Sequence, residues 1–194
     1  NLHRVPESVS DEMAVFTEPL AAALEIQQQI QLKPDDRVLL VGAGRLGQLI
    51  AQTLALTGCD LQVVTRHAHP QSLLAARGIR FTTAEEVQPR KWDVVVEATG
   101  SADGFNLARK AIRPCGTLVM KSTYKGDVNV NFSSIVVDEI NIIGSRCGPF
   151  APALRLLEKR EVDPTVLIVD QYKMTDAVKP FDHAAQAGVL KILL

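Results

Sequence analysis

Gly42, Gly44 and Gly47 stand in the spacing G-x-G-x-x-G, between the apolar run Arg37 to Val41 and the helical pattern of Leu46, Leu49, Ile50 and Leu54. Each glycine has its own use. The first permits a tight strand-to-helix turn, the second lets backbone approach a pyrophosphate, and the third lets helix and strand pack closely. Arg45 and Leu46 open the helix, where free N–H groups and the positive dipole end favour an anion. Thr65 lies eighteen residues after Gly47, near where such folds place an acid on a ribose 2′-hydroxyl. Here the acid is missing and Arg66 follows, with His67 and His69 nearby. A guanidinium grips a 2′-phosphate that a carboxylate would repel, so the charge pattern favours NADP, with NAD the alternative. Glu97-Ala98-Thr99-Gly100 ends the run that starts at Trp92, at the sheet edge where ligands bind. Position alone would suit Glu97 to general-base work, but an acid there is more often structural. Lys121 meets a phosphate or a substrate acid, or else faces solvent.

The elements that must hold these residues alternate. Strands are expected at 37–41, 61–65, 79–81, 92–98, 116–121 and 140–145, with helices at 71–77, 102–112 and 151–160 and one helical turn at 84–87. Gly58 closes the first of the intervening helices in the left-handed conformation. Short connections between alternating elements imply a doubly wound parallel α/β sheet of the Rossmann type, order 3-2-1-4-5-6, with the ligand crossing between strands 1 and 4. Before it, Ser10 is placed to cap a helix and the alanine-rich run after Glu18-Pro19 reads as a second one, closed by Lys33-Pro34-Asp35-Asp36. After it come Val166 to Val169, a helix over 176–187 and a final strand over 189–194. The expected divisions are 1–33, 34–162 and 163–194.

With a net charge of −1 there is no basic surplus to attract nucleic acid, and no apolar run is long enough to span a bilayer. Cys59, Cys115 and Cys147 are odd in number and far apart, which argues against disulfides and cysteine-only zinc sites and fits a cytoplasmic setting. The polar first residues lack signal-peptide character, and Asn1 in place of Met suggests a processed or truncated piece.

VPESVSDEMAVFTEPLAAALE, VGAGRLG, DVVVEATGS, GTLVMKSTY and GVLKILL, in that order, resemble the medium-chain dehydrogenase/reductases of the zinc alcohol dehydrogenase group. Members near sorbitol, threonine and glucose dehydrogenases share the E-P-L pattern. The resemblance implies a nucleotide-binding domain whose terminal segments join a GroES-like catalytic domain not contained in these residues. It implies an enzyme moving hydride between NAD(P) and an alcohol or carbonyl substrate, with this piece alone inactive. It puts Glu18 at a zinc ligand position of the whole protein, although no zinc is expected on these residues alone, since a catalytic zinc needs three protein ligands. Thr99 and Gly100 would line the adenosine half of the cofactor. Ser122 with Thr123, and Ser145 to Cys147, would meet the nicotinamide amide. Cys147, with no paired histidine, reads as a small residue beside the ring rather than a nucleophile.

By the same resemblance a homodimer or homotetramer is expected, paired along Asp127 to Phe132 and Ile140 to Cys147. Three other readings stay open: a stand-alone NAD(P)-sensing module, a zinc-free quinone reductase, and a methyltransferase, which the three-glycine spacing disfavours.

Overall fold

A computed structural model of the protein describes residues 2–176, 178–186 and 188–194. In chain order the elements are α1 (Asp11–Ala14), α2 (Thr17–Gln29), β1 (Arg37–Val41), α3 (Arg45–Ala55), β2 (Asp60–Val64), α4 (Ala68–Ala75), β3 (Arg80–Thr82) and β4 (Trp92–Glu97). They continue with α5 (Ala102–Ala111), β5 (Ile112–Met120), α6 (Phe132–Val137), β6 (Asn141–Gly144), α7 (Phe150–Glu158), β7 (Ile168–Gln171), α8 (Lys179–Ala184) and β8 (Lys191–Leu193). Strands 1 to 6 form one parallel sheet in the order β3-β2-β1-β4-β5-β6, the order the alternation implies. β7 and β8 form a separate parallel pair.

Alternation along the central strands feeds two cores. Val38 and Leu40 point into one with Leu20, Ile26, Leu49, Ile50 and Leu157, under α2, α3 and α7. Leu39 and Val41 point into the other with Phe105, Ala108, Ile112 and Leu118, under α5. Each buried valine, leucine, isoleucine or phenylalanine among these contributes about 1.5–3 kcal/mol. α2 is therefore part of the main core, packed against α3 and α7.

Several expected boundaries move. α4 begins at Ala68, so His69 and Pro70 lie in its first turn, where proline's missing N–H costs nothing. Residues 84–87 form a turn and not a helix. β5 starts at Ile112, well before Gly116. Its register shifts between Trp92 and Val94 on the facing strand, and that irregularity accommodates Pro114. α6 was not expected: Ser133 to Val137 is rich in β-branched residues, yet Asn131 caps the segment by accepting from the Ser134 N–H at 3.2 Å. Of the helix expected over 176–187, the structure shows a 3-10 turn at Met174–Asp176 and then α8; Ala177 and Ala187 lie outside the described residues.

Charged groups tie the amino end of the sheet. Asp93 of β4 accepts from the Arg37 N–H and Nε, both at 2.9 Å, and from Arg113 Nε at 2.5 Å. The hydrogen bonds from Arg37, then those from Arg113, hold the Asp93 carboxyl well below the usual carboxylate range. Its folded value is thus depressed, so its contribution is complete above the unfolded aspartate value of about 3.9 and fades as pH falls below it. Asp93→Asn should lower unfolding free energy by about 1–3 kcal/mol at pH 7, as expected for a hydrogen-bonded charge. In urea titrations repeated at falling pH, the gap between the two proteins should shrink from about pH 4 downward; a gap independent of pH would refute the account.

Candidate functional site

The turn after β1 is built by close contact. Gly42 has φ +108°, and a Cβ there would stand 2.9 Å from Thr99 Cγ2 and 3.0 Å from the Ala98 carbonyl oxygen. A Cβ on Gly47 would lie 2.2 Å from the Gly42 carbonyl oxygen, so α3 meets the end of β1 backbone to backbone. Gly44 differs. It is extended, at φ −72° and ψ −167°, and a Cβ there would meet no protein atom within 4 Å. Neither turn geometry nor packing demands glycine at 44; what it allows is close approach of a group from outside the chain. Gly44 is the N-cap of α3, an eleven-residue helix whose first-turn N–H groups have no partners within the helix.

These residues open into a cleft of about 790 Å³, within the range of small-molecule sites. One wall carries Thr65, Arg66, His67, His69 and Pro70, another Ala98, Thr99, Ser101, Asp103, Gly104 and Leu107. Glu85 and the late segment Gly188 to Leu190 close it. Thr65 is buried and Arg66 exposed, its Nε donating to His67 Nε2 at 3.1 Å. Buried Gln48 of α3 donates to the Pro70 carbonyl at 3.2 Å, and Gln71 donates to the Thr65 carbonyl at 3.2 Å, which fixes that wall.

Glu97 is fully buried. Its Oε1 accepts from the Thr99 N–H at 2.6 Å and the Thr99 hydroxyl at 2.5 Å, and its Oε2 accepts from the Tyr124 hydroxyl. Burial and then the Glu97 carboxylate push the Tyr124 phenol up from its ordinary value. Glu97 therefore holds the Thr99 turn in shape. Gly104 sits so close that a Cβ would strike Thr99 Oγ1.

Of the sequence-predicted site residues, Gly42, Gly44, Arg45, Thr65, Arg66 and Thr99 line the cleft. Leu46 and Gly47 lie in the first turn of α3 behind it. Gly100, at φ +69°, packs under the Thr123 carbonyl, and Ser122 is half-buried there. Buried Ser145 and exposed Cys147 follow β6 and are not among the residues that line the cleft. Lys121 does not face solvent: it is 7% exposed. Glu18 is exposed in the first turn of α2. Among the described residues, no three His, Cys, Asp or Glu side chains gather as a metal-ligand set.

The sequence reading missed Ser101, Asp103 and Gly188 to Leu190. Ser101 had a signal, because S-A-D-G is cap chemistry: its hydroxyl accepts from the Gly104 N–H at 3.1 Å at the start of α5. The late segment had none, since only the fold brings it to the cleft.

The family model described as ketopantoate reductase PanE/ApbA matches residues 38–190. The chain belongs to that family. Its name differs from the medium-chain dehydrogenase/reductase group that the motifs resemble, yet the curated relatives are polyol dehydrogenases. D-arabinitol dehydrogenase 1 of Uromyces fabae is 29% identical over 96% of this chain and 59% of its own length. Sorbitol dehydrogenase of Halalkalibacterium halodurans is 26% identical over 100% of this chain and 62% of its own. The chain thus spans about three-fifths of these relatives. Among solved structures, a zinc-binding dehydrogenase of Sinorhizobium meliloti 1021 bound to NADP aligns with TM-score 0.89 at 22% identity, covering 99% of this chain and 62% of that one. L-idonate 5-dehydrogenase of Escherichia coli aligns with TM-score 0.88 at 21% identity, covering 98% and 59%. These likenesses show the same fold.

The glycines separate in a thermal-unfolding series. Gly47→Ala, which forces backbone apart, should cost about 1–3 kcal/mol or more, the range for overpacking. Gly44→Ala should cost less, at most about 1 kcal/mol, the N-cap difference between glycine and alanine. Equal losses at both positions would refute the separate roles.

Proposed function

We propose that this chain forms the dinucleotide-binding part of an NADP-linked oxidoreductase acting on a polyol or related alcohol and its carbonyl partner. The observation that carries the reading is the open approach at Gly44, on the N-terminus of α3, facing a cleft whose opposite wall presents Arg66 with no acid at Thr65. Backbone N–H groups of Arg45 and Leu46 would hold the pyrophosphate, and Arg66, with His67 beside it, would take the 2′-phosphate. Thr99, held by Glu97, would set the floor for the adenosine half. Ser122, Ser145 and Cys147, near the carboxyl ends of β5 and β6, are assigned to the nicotinamide half. The bound nicotinamide supplies the hydride acceptor or donor; the protein's part is to bind, orient and exclude water.

The matched family's name suggests a second reading, reduction of a keto acid. The polyol reading is preferred because those relatives align over nearly all of this chain, including the residues before Val38 where the family match begins. The purified whole protein assayed against sugar alcohols, ketoses and ketopantoate would discriminate, and turnover of ketopantoate alone would overturn the polyol assignment. Zinc, if the whole protein binds it, would find Glu18 as its ligand from these residues, with the others supplied by further sequence. Metal analysis of the whole protein that finds no zinc would remove that role.

A homodimer is also proposed. β6 is the last strand of the sheet, and Ile142 on it, with Phe132, Val136 and Val137 of neighbouring α6, is exposed. Analytical ultracentrifugation should give a dimer or a tetramer; a monomer at micromolar concentration would rule it out.

The cofactor reading is tested by calorimetric titration. NADPH should bind more tightly than NADH, and Arg66→Ala should weaken NADPH by about ten- to a hundredfold while leaving NADH within about twofold, the scale of one charge-assisted pair. Gly44→Ala should weaken both. Tighter NADH binding would overturn the NADP preference and make Glu85, which lines the same cleft, the candidate ribose acid.

A further inference from the structure

Lys121 follows β5 directly, and its placement is not explained by packing. The side chain is buried, and its Nζ donates to Ser145 Oγ at 3.0 Å and to the Arg146 carbonyl at 2.8 Å. Its backbone N–H donates to the Glu97 carbonyl at 2.9 Å. The ammonium thus lies across the carboxyl ends of β5 and β6, held by two neutral acceptors. The charged and titratable groups that face it are Glu25 and Glu18 on α2 and the Cys147 thiol on the loop after β6. Among the described residues, no carboxylate comes within the 4.0 Å of an ion pair with it. A buried lysine without such a partner is costly, and aliphatic side chains fill space at less expense.

A doubly wound sheet binds the two halves of a dinucleotide on either side of its switch point. The glycine turn after β1 and Arg66 after β2 take one half. On that rule the other half would lie along the carboxyl ends of β4, β5 and β6, the edge at which Lys121 stands. The nicotinamide ring carries a positive charge when oxidised and none when reduced. A fixed ammonium nearby raises the energy of the oxidised ring only.

We infer that Lys121 biases the bound nicotinamide toward its reduced form, making this site a stronger hydride acceptor than a neutral residue would. The inference rests on the dinucleotide reading above. Glu18 and Glu25 pull the other way, so removing the ammonium leaves them unopposed and shifts the balance in the same direction. No bond is made to Lys121, which tunes the ring electrostatically while anchoring the Ser145–Arg146 turn.

The test measures dissociation constants for NADP⁺ and NADPH separately, on wild type, Lys121→Gln, Lys121→Met and Lys121→Arg, by calorimetry at one pH and salt concentration. Wild type should bind NADPH more tightly than NADP⁺. The ratio of the two constants should fall by about five- to tenfold in either neutral variant, the scale of one pKa unit of charge interaction, and stay within about twofold of wild type in the arginine variant. Glutamine keeps a donor for Ser145 and methionine suits the buried stem, so either one that folds decides the matter. An equal loss of affinity for both forms, or an unchanged ratio with binding retained, would overturn the inference and leave the dinucleotide reading standing. A wild-type protein that binds neither form would overturn both.

Discussion

The contact between Gly42 and Gly47 is the constraint from which the site follows. Because no Cβ separates them, α3 starts almost on top of the end of β1. Its first-turn N–H groups then open onto the gap between β1 and β4, where strand order reverses. A bulkier residue at either position would push the helix out, and with it the dipole end and the Gln48 link to the Pro70 wall. Hydrophobic burial on both faces of the sheet keeps β1 central, so the turn inherits the rigidity of a strand whose residues from Val38 to Val41 are all buried.

Around that fixed point, polar groups do the shaping. Glu97 is a carboxylate with no ion-pair partner among the described residues, satisfied by three donors from Thr99 and Tyr124. It converts the end of β4 into a defined floor and links that floor to the connection after β5. At the opposite end of the sheet Asp93 gathers Arg37 and Arg113, joining β1, β4 and β5 where no ligand is expected. The two acids divide the labour: Glu97 steadies the carboxyl edge of the sheet around Thr99, and Asp93 steadies the amino edge.

Much of this was legible in the residues. The apolar run into three spaced glycines marked β1 and α3, and WDVVVEATG marked β4 and its turn, because local pattern and tertiary role agree there. The missing acid at Thr65 was readable by position alone. Other features depend on distant partners. α6 forms from a β-branched segment because Asn131 caps it and Arg109 and Asp138 fix its end, contacts that sequence spacing does not announce. β5 begins early because the register opposite it slips. The burial of Lys121 depends on Ser145, a residue from the next strand, so a basic residue at a strand end gave no sign of it.

The cleft wall formed by Gly188 to Leu190 has a consequence for how the protein is made. In sequence those residues lie beyond all six strands of the main sheet, and Leu190 joins the main core to which Leu167 also belongs. During synthesis the glycine turn, α3 and all six strands of the main sheet emerge from the ribosome before this wall exists. Closing so long a loop carries its entropic cost late. The other walls of the cleft are therefore synthesised first, and the side formed by Gly188 to Leu190 can close only after them.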